Sequence, residues 1–155
     1  MRLRFVWVGK TRNEHLRALV EDYLKRLKRF APCEVLEVRE SALKRSKGAG
    51  IEEEGARILG GLHTDALVVL LDVAGREWSS EELAAQVERW QADGAVKEVA
   101  FIIGGHWGVS REVLNRAKVR WSLSRLTLTH EMARVLLVEQ VYRAYTIMHG
   151  LPYQK

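Results

Sequence analysis

Val99-Ala-Phe-Ile-Ile-Gly-Gly-His-Trp-Gly108 is an apolar, β-branched run that stops at two adjacent glycines. It reads as a buried strand, and the glycines leave bare backbone at its end, where a flat ligand can approach without meeting a side chain. In open parallel α/β sheets the ligand crevice lies outside the carboxyl ends of the strands, so Gly104 and Gly105 are expected there. A tight turn into the next helix accounts for the same glycines without any ligand.

Outward from this run, strands and helices alternate. Ala66-Leu-Val-Val-Leu-Leu-Asp72 is apolar on both faces, as a central strand of a parallel sheet is, and ends in Asp-Val-Ala-Gly75. Ser79-Ser-Glu-Glu82 is a capping box that opens a helix to about Ala92, with Leu83, Val87 and Trp90 inward. Beyond the glycines, Ser110 caps a helix to about Ala117, and Trp121–Leu128 leads into a helix from Glu131 to Met148. Toward the N-terminus, residues 3–8 form a first strand. Glu14–Phe30 carries Leu16, Leu19, Val20, Tyr23, Leu24, Leu27 and Phe30 at the spacing of one helical face. Pro32 ends that helix, and Cys33–Arg39 alternates polar with apolar as an edge strand does. Ser41–Gly50 reads as a basic loop before a short helix around Ile51–Leu62.

The helix from Glu131 to Met148 is apolar nearly all round. One stripe suffices for a surface helix, so the excess predicts a second buried face, most economically a homodimer interface. Leu137 and Tyr145 are expected to face away from the core that takes Val135 and Tyr142.

At 155 residues the chain is expected to be one domain with a real core. Its 47% hydrophobic and 29% charged residues exclude global disorder. A net charge of +5 favours a nucleic-acid partner. The single cysteine, Cys33, excludes an intrachain disulfide and suits a reducing cytoplasm. No apolar run approaches the roughly 20 residues of a membrane span, and the N-terminal apolar run is too short for a secretory signal.

Several chemistries lack their signatures. The adjacent glycines are not the dinucleotide fingerprint, and there is no Walker A sequence, Gly-x4-Gly-Lys-Ser/Thr. The five histidines are scattered at spacings that predict no metal. Ser110 lacks the second glycine of a nucleophile elbow.

What remains is three strand ends, at Leu71-Asp72, Gly104-Gly105 and Leu123–Leu128, backed by a long terminal helix. Their order and wording resemble the RlmH family of the SPOUT superfamily, the ribosomal large-subunit pseudouridine N3-methyltransferases. The resemblance spans nearly the whole chain. It rests on Val8-Gly-Lys10, Leu71-Asp-Val-Ala-Gly75, Phe101-Ile-Ile-Gly-Gly105 with Gly108, and Trp121-Ser-Leu-Ser-Arg-Leu-Thr-Leu128. It continues through His130, Arg134-Val-Leu-Leu-Val-Glu-Gln-Val-Tyr-Arg-Ala144 and Pro152-Tyr153. The chain departs in reading Thr129 where the family has proline, Gln154 where it has a tail histidine, and His106-Trp107 where a small residue or proline follows the glycines.

The resemblance implies an α/β fold, a single-domain, mostly parallel sheet flanked by helices with a C-terminal trefoil knot. It also implies a homodimer in which each active site is completed by the partner. S-adenosylmethionine would be held by Leu71, Gly104, Gly105, Leu123, Ser124, Arg125, Leu126, Thr127 and Leu128. His130 would contact or deprotonate the target base, while Arg134, Tyr153 and Lys155 would bind the nucleotide. The implied substrate is N3 of a pseudouridine in the helix 69 loop of 23S rRNA, presented by the assembled ribosome. With one small domain, phosphate contacts are expected from Lys44, Arg45, Lys47, Arg111, Arg134 and Lys155. A SPOUT enzyme acting on tRNA and a non-catalytic ribosome assembly factor are the alternatives.

Overall fold

The computed structural model describes residues 1–43 and 47–154, with the side chain of Lys47 left out. Along the chain run β1 (Arg2–Val8), α1 (Glu14–Leu27), β2 (Cys33–Val38), α2 (Lys47–Gly60), β3 (Leu67–Glu77) and α3 (Ser80–Ala92). β4 (Glu98–Ile103), α4 (Arg111–Arg116), β5 (Val119–Ser122) and α5 (His130–Met148) follow. The strands form one sheet in the order β2-β1-β4-β3-β5, every neighbouring pair parallel. All carboxyl ends therefore lie along one edge of the sheet. β2 is an edge strand as its alternation predicts, and β4, buried at every residue, is the middle one. The expectation that the 66–72 strand is the central one is corrected: β3 lies one place from the edge, apolar because helices cover both its faces.

Successive strand side chains point to opposite faces, so β1 feeds two cores at once. Phe5 and Trp7 join Phe101, Trp121, Leu137 and Tyr145 beneath α1, α3 and α5, with the Phe5 and Phe101 rings stacked at 5.5 Å. Val6 and Val8 join Val68, Leu70 and Ile102 on the other face, against Ile58 of α2 and Val113 of α4.

Local signals set most boundaries. Ser79 and Glu82 exchange both capping-box hydrogen bonds, and Leu83, Val87 and Trp90 are buried. Ser110 accepts from the Val113 amide at 3.3 Å to open α4. α1 stops at Leu27, and Phe30 lies in the turn that follows, its amide donating to Leu27. Leu19, expected inward, is exposed. α2 begins at Lys47, earlier than expected, so part of the supposed loop is helix.

α5 overturns one sequence argument. Val135, Leu137 and Tyr145 all lie in the same core, with Tyr142 packed against it. The helix sits between α1 and α3 and touches β4, and a helix enclosed on three sides buries more than a stripe. Its apolar circumference is thus used within one chain, and Tyr145 is a core residue. Among the described residues no helix is long and apolar enough to cross a membrane.

Between Leu71 and Arg76 the pairing of β3 with β5 shifts register, and both residues pair with Trp121. Residues 72–75 are looped out and returned at Gly75, whose ideal Cβ would lie 2.6 Å from the Arg120 carbonyl carbon and 2.8 Å from the Trp121 nitrogen. Only glycine lets this segment cross the β5 backbone so closely.

Candidate functional site

The loops leaving β3, β4 and β5 meet at the carboxyl edge of the sheet and enclose a cavity of about 420 Å³. Leu71, Asp72 and Val73 form one wall, Gly104, Gly105 and Trp107 to Val109 a second, and Leu123, Ser124, Leu126 and Leu128 a third. Its size lies within the roughly 300–1,000 Å³ of small-molecule sites, and its lining is apolar with a few polar groups, as such sites are.

Gly104 is held to glycine here by close approach to the turn, whereas Gly105 faces only the movable end of Glu54. A Cβ on Gly104 would stand 2.5 Å from Val109 Cγ1 and 3.2 Å from the Gly108 oxygen, and one on Gly105 would stand 2.4 Å from Glu54 Oε2. The Gly108 amide donates to the Gly105 carbonyl at 3.0 Å, and Gly108 has φ +96°, which turns the chain back sharply and leaves Trp107 near the tip. Asp72 accepts from the Ala74 amide at 2.9 Å and from Arg120 Nε at 2.8 Å. Burial pushes its carboxyl pKa up, but these partners outweigh burial and hold it below the usual carboxylate range.

His130 is the first residue of α5, which Thr129 caps by accepting from the Met132 amide at 3.3 Å. Its ring lies 6.1 Å from that of His106. Burial, then the neighbouring His106 and Arg134, depress its pKa below the ordinary histidine value, and a hydrogen bond to the Gly104 backbone opposes them only in part. At neutral pH the imidazole is therefore uncharged and able to take up a proton.

His130 also borders a second cavity of about 470 Å³, formed by residues of the β1–α1 loop, the segment after β2, α2 and the start of α5. Lys10, Arg12, Glu40, Glu54, His106, Glu131 and Arg134 line it. Gly105, Trp107 and His130 belong to the linings of both cavities and form the partition between them.

Of the residues named from sequence, the structure brings Leu71, Gly104, Gly105, Leu123, Ser124, Leu126, Leu128 and His130 together in the lining of the first cavity. Arg125 and Thr127 do not line it. Arg125 is exposed and paired with Glu77 at 3.6 Å, and Thr127 is exposed. Arg134 reaches the second cavity only in part, because its guanidinium donates to Thr11 Oγ1 at 2.9 Å and to the Val8 carbonyl at 2.7 Å, over the Trp7 ring. It is 3% exposed and ties α5 to the end of β1. Tyr153 is not brought to His130. Its hydroxyl donates to Glu139 Oε1 at 3.0 Å, and Glu139 lies nine residues further along α5, about 13 Å at a rise of about 1.5 Å per residue. Arg111 is exposed at the start of α4, in neither cavity lining. Lys44, Arg45 and Lys155 lie outside the described residues. Among the described residues no group of three His, Cys, Asp or Glu side chains is placed to hold a metal ion.

Sequence reasoning did not assign Asp72, Trp107, Arg120 or the second cavity to the site. Asp72 had a signal, since it ends an apolar strand. The cavity had none, because its lining comes from five separated segments, around residues 8–12, 40–43, 50–54, 105–107 and 130–134.

A three-loop cavity at the carboxyl edge of a parallel sheet lies where open α/β folds hold small molecules, and here a half-buried histidine stands in its wall. Residues 1–154 match the family described as predicted SPOUT methyltransferase, and the chain belongs to that family. Its fold is accordingly the α/β knot class, with these three loops in the C-terminal part. The ribosomal RNA large subunit methyltransferase H of Anaeromyxobacter sp. (strain Fw109-5) is 43% identical over 155 residues, covering 100% of both chains. The protein of that name from Geobacter metallireducens is 43% identical over 157 residues, covering 99% of this chain and 98% of its own. The crystal structure of the SpoU methyltransferase AviRb from Streptomyces viridochromogenes, in complex with AdoMet, has a TM-score of 0.46 and 12% identity. That match covers 93% of this chain and 58% of AviRb.

Proposed function

We propose that this chain, a single domain over residues 1–155, methylates N3 of a pseudouridine in the helix 69 loop of 23S rRNA, using S-adenosylmethionine, in the cytoplasm. The observation that carries the reading is the partition of Gly105, Trp107 and His130 between two cavities in a SPOUT methyltransferase. Methyl transfer needs two reactants side by side. The relatives' names supply the class of RNA.

The first cavity fits the cofactor. A side chain at Gly104 would crowd its wall, and Leu71, Leu123, Leu126 and Leu128 offer apolar faces for an adenine. Bound there, the cofactor supplies an electrophilic methyl group. The imide N3 of pseudouridine carries a proton at neutral pH, so it must lose that proton to become a nucleophile. Neutral His130 accepts it at a ring nitrogen, and the partition holds the base against the methyl donor; positioning supplies the larger part of the rate.

The proposal includes a homodimer, as the family resemblance implies. It is supported by the distance of Tyr153 from its own His130: a tail residue that acts on the nucleotide would do so in the site of a second copy. The part of α5 left accessible, including the exposed Met132 and half-buried Leu136 and Arg143, is the face available for pairing. Sedimentation at micromolar concentration is expected to show a dimer, and Met132→Asp together with Leu136→Asp to give a monomer without activity. A monomeric, active wild-type protein would contradict this.

The decisive experiment incubates the protein with labelled S-adenosylmethionine and, separately, ribosomes, subunits, naked rRNA and tRNA, followed by mapping of the product. Assembled particles are expected to be labelled at least tenfold faster than naked rRNA, because they fix the loop's shape. Replacing Lys44, Arg45 and Lys47 by Ala is expected to flatten the salt dependence of particle binding, since each phosphate contact releases counterion. Label in tRNA would favour a tRNA-modifying enzyme. Particle binding without transfer would favour an assembly factor.

A further inference from the structure

Trp107 stands out among the five tryptophans of the chain. Trp7, Trp90 and Trp121 are buried and Trp78 is half-buried among them, whereas Trp107 is 52% exposed. A large exposed aromatic costs the fold hydrophobic burial, and here it sits on the partition between the two cavities.

The turn that carries it is firmly built. The Gly108 amide bonds back to Gly105, the two glycines form an isolated antiparallel bridge, and the His106 ring meets the indole edge-on at 4.6 Å. The indole is thus presented on a short, closed turn beside Gly105 and His130. On one side lies the cavity of the three loops, whose leucines already provide apolar faces. On the other lies a cavity of mixed charge, where Glu40, Glu54 and Glu131 stand beside Lys10 and Arg12; Arg12 pairs with Glu40 at 3.9 Å, and Lys10 is a cation that suits a nucleotide phosphate.

We propose that Trp107 is the stacking platform for the acceptor nucleobase, a positioning residue that holds the unstacked base in the second cavity with its edge toward His130. The assignment rests on the RNA-methyltransferase reading above and deepens it. Single-stranded and looped RNA bases are gripped by aromatic faces, which every base can use, while discrimination comes from hydrogen bonds at the base edge. His106 braces the indole. The indole borders both cavities, so a platform for the RNA base reads out as a loss on the RNA substrate larger than any loss on the cofactor.

The test compares Trp107→Ala and Trp107→Phe with the unaltered full-length protein. Transfer from labelled S-adenosylmethionine to large ribosomal subunits is measured at saturating cofactor, and cofactor affinity by calorimetry. Trp107→Ala is expected to raise KM for subunits by roughly 5- to 150-fold, the range for loss of one stacked base. Trp107→Phe is expected to recover most of that loss. Cofactor affinity is expected to fall by a smaller factor than the KM for subunits rises, and the circular dichroism spectrum to keep its native shape, since the indole is 52% exposed. An unchanged KM in Trp107→Ala would overturn the platform while leaving the methyltransferase reading intact. A parallel loss of cofactor affinity would overturn it by assigning the indole to the cofactor. If the unaltered protein transfers no methyl group to any ribosomal substrate, the functional reading falls and the platform with it.

Discussion

Replacing Gly104 by Val is expected to abolish S-adenosylmethionine binding, by roughly 100-fold or more in affinity, equivalent to about 2.7 kcal/mol. The new Cβ alone would lie 2.5 Å from Val109 Cγ1 and 3.2 Å from the Gly108 carbonyl oxygen. Backbone cannot yield as a flexible side chain can, so the 105–109 turn must shift, taking with it a wall of the cofactor cavity. Gly94→Ala is the matched control, since a Cβ there meets nothing within 4 Å. Calorimetry on both variants decides the matter: undiminished binding by Gly104→Val would mean that the ligand does not use this wall.

His130→Ala is expected to lower the methyl-transfer rate at saturating substrates by roughly 100- to 10,000-fold, the usual contribution of a positioned base. The pH profile carries a second signature. Because the folded-state pKa of His130 is depressed, chiefly by burial, the imidazole is neutral at pH 7 and charges only as the pH falls below the ordinary value of about 6.5. The wild-type rate is therefore expected to be flat near neutrality and to fall on an acid limb below pH 6.5. His130→Ala should lack that limb. A variant that keeps both rate and limb would show that another group takes the proton.

Much of the fold was legible because it is written in local chemistry. The capping box at Ser79-Glu82, the Ser110 cap and the apolar runs that became β3 and β4 each specify their structure from adjacent residues. The seven residues from Leu71 to Leu128 that line the first cavity were readable because strand ends of a parallel sheet gather on one edge. Arg134 was legible in type and misleading in role. Nothing near it in sequence reveals that Thr11 and Val8 take its donors across more than 120 positions. The same holds for α5, whose apolar circumference records the company of α1 and α3, a tertiary fact absent from its own periodicity. Tyr153 shows the limit from the other side, since a tail is placed by whichever surface it finds.

The excursion of residues 72–75 has a mechanical consequence. β3 leaves Trp121 after Leu71 and returns to it at Arg76, so this rim of the cofactor cavity is riveted at both ends to the same residue of β5. The facing rims, 105–109 and 123–128, have no such double fastening to the sheet. The cavity is thus a vice with one fixed jaw at 72–75, and a ligand held there as proposed would find its freedom of entry in the other rims and not in this one.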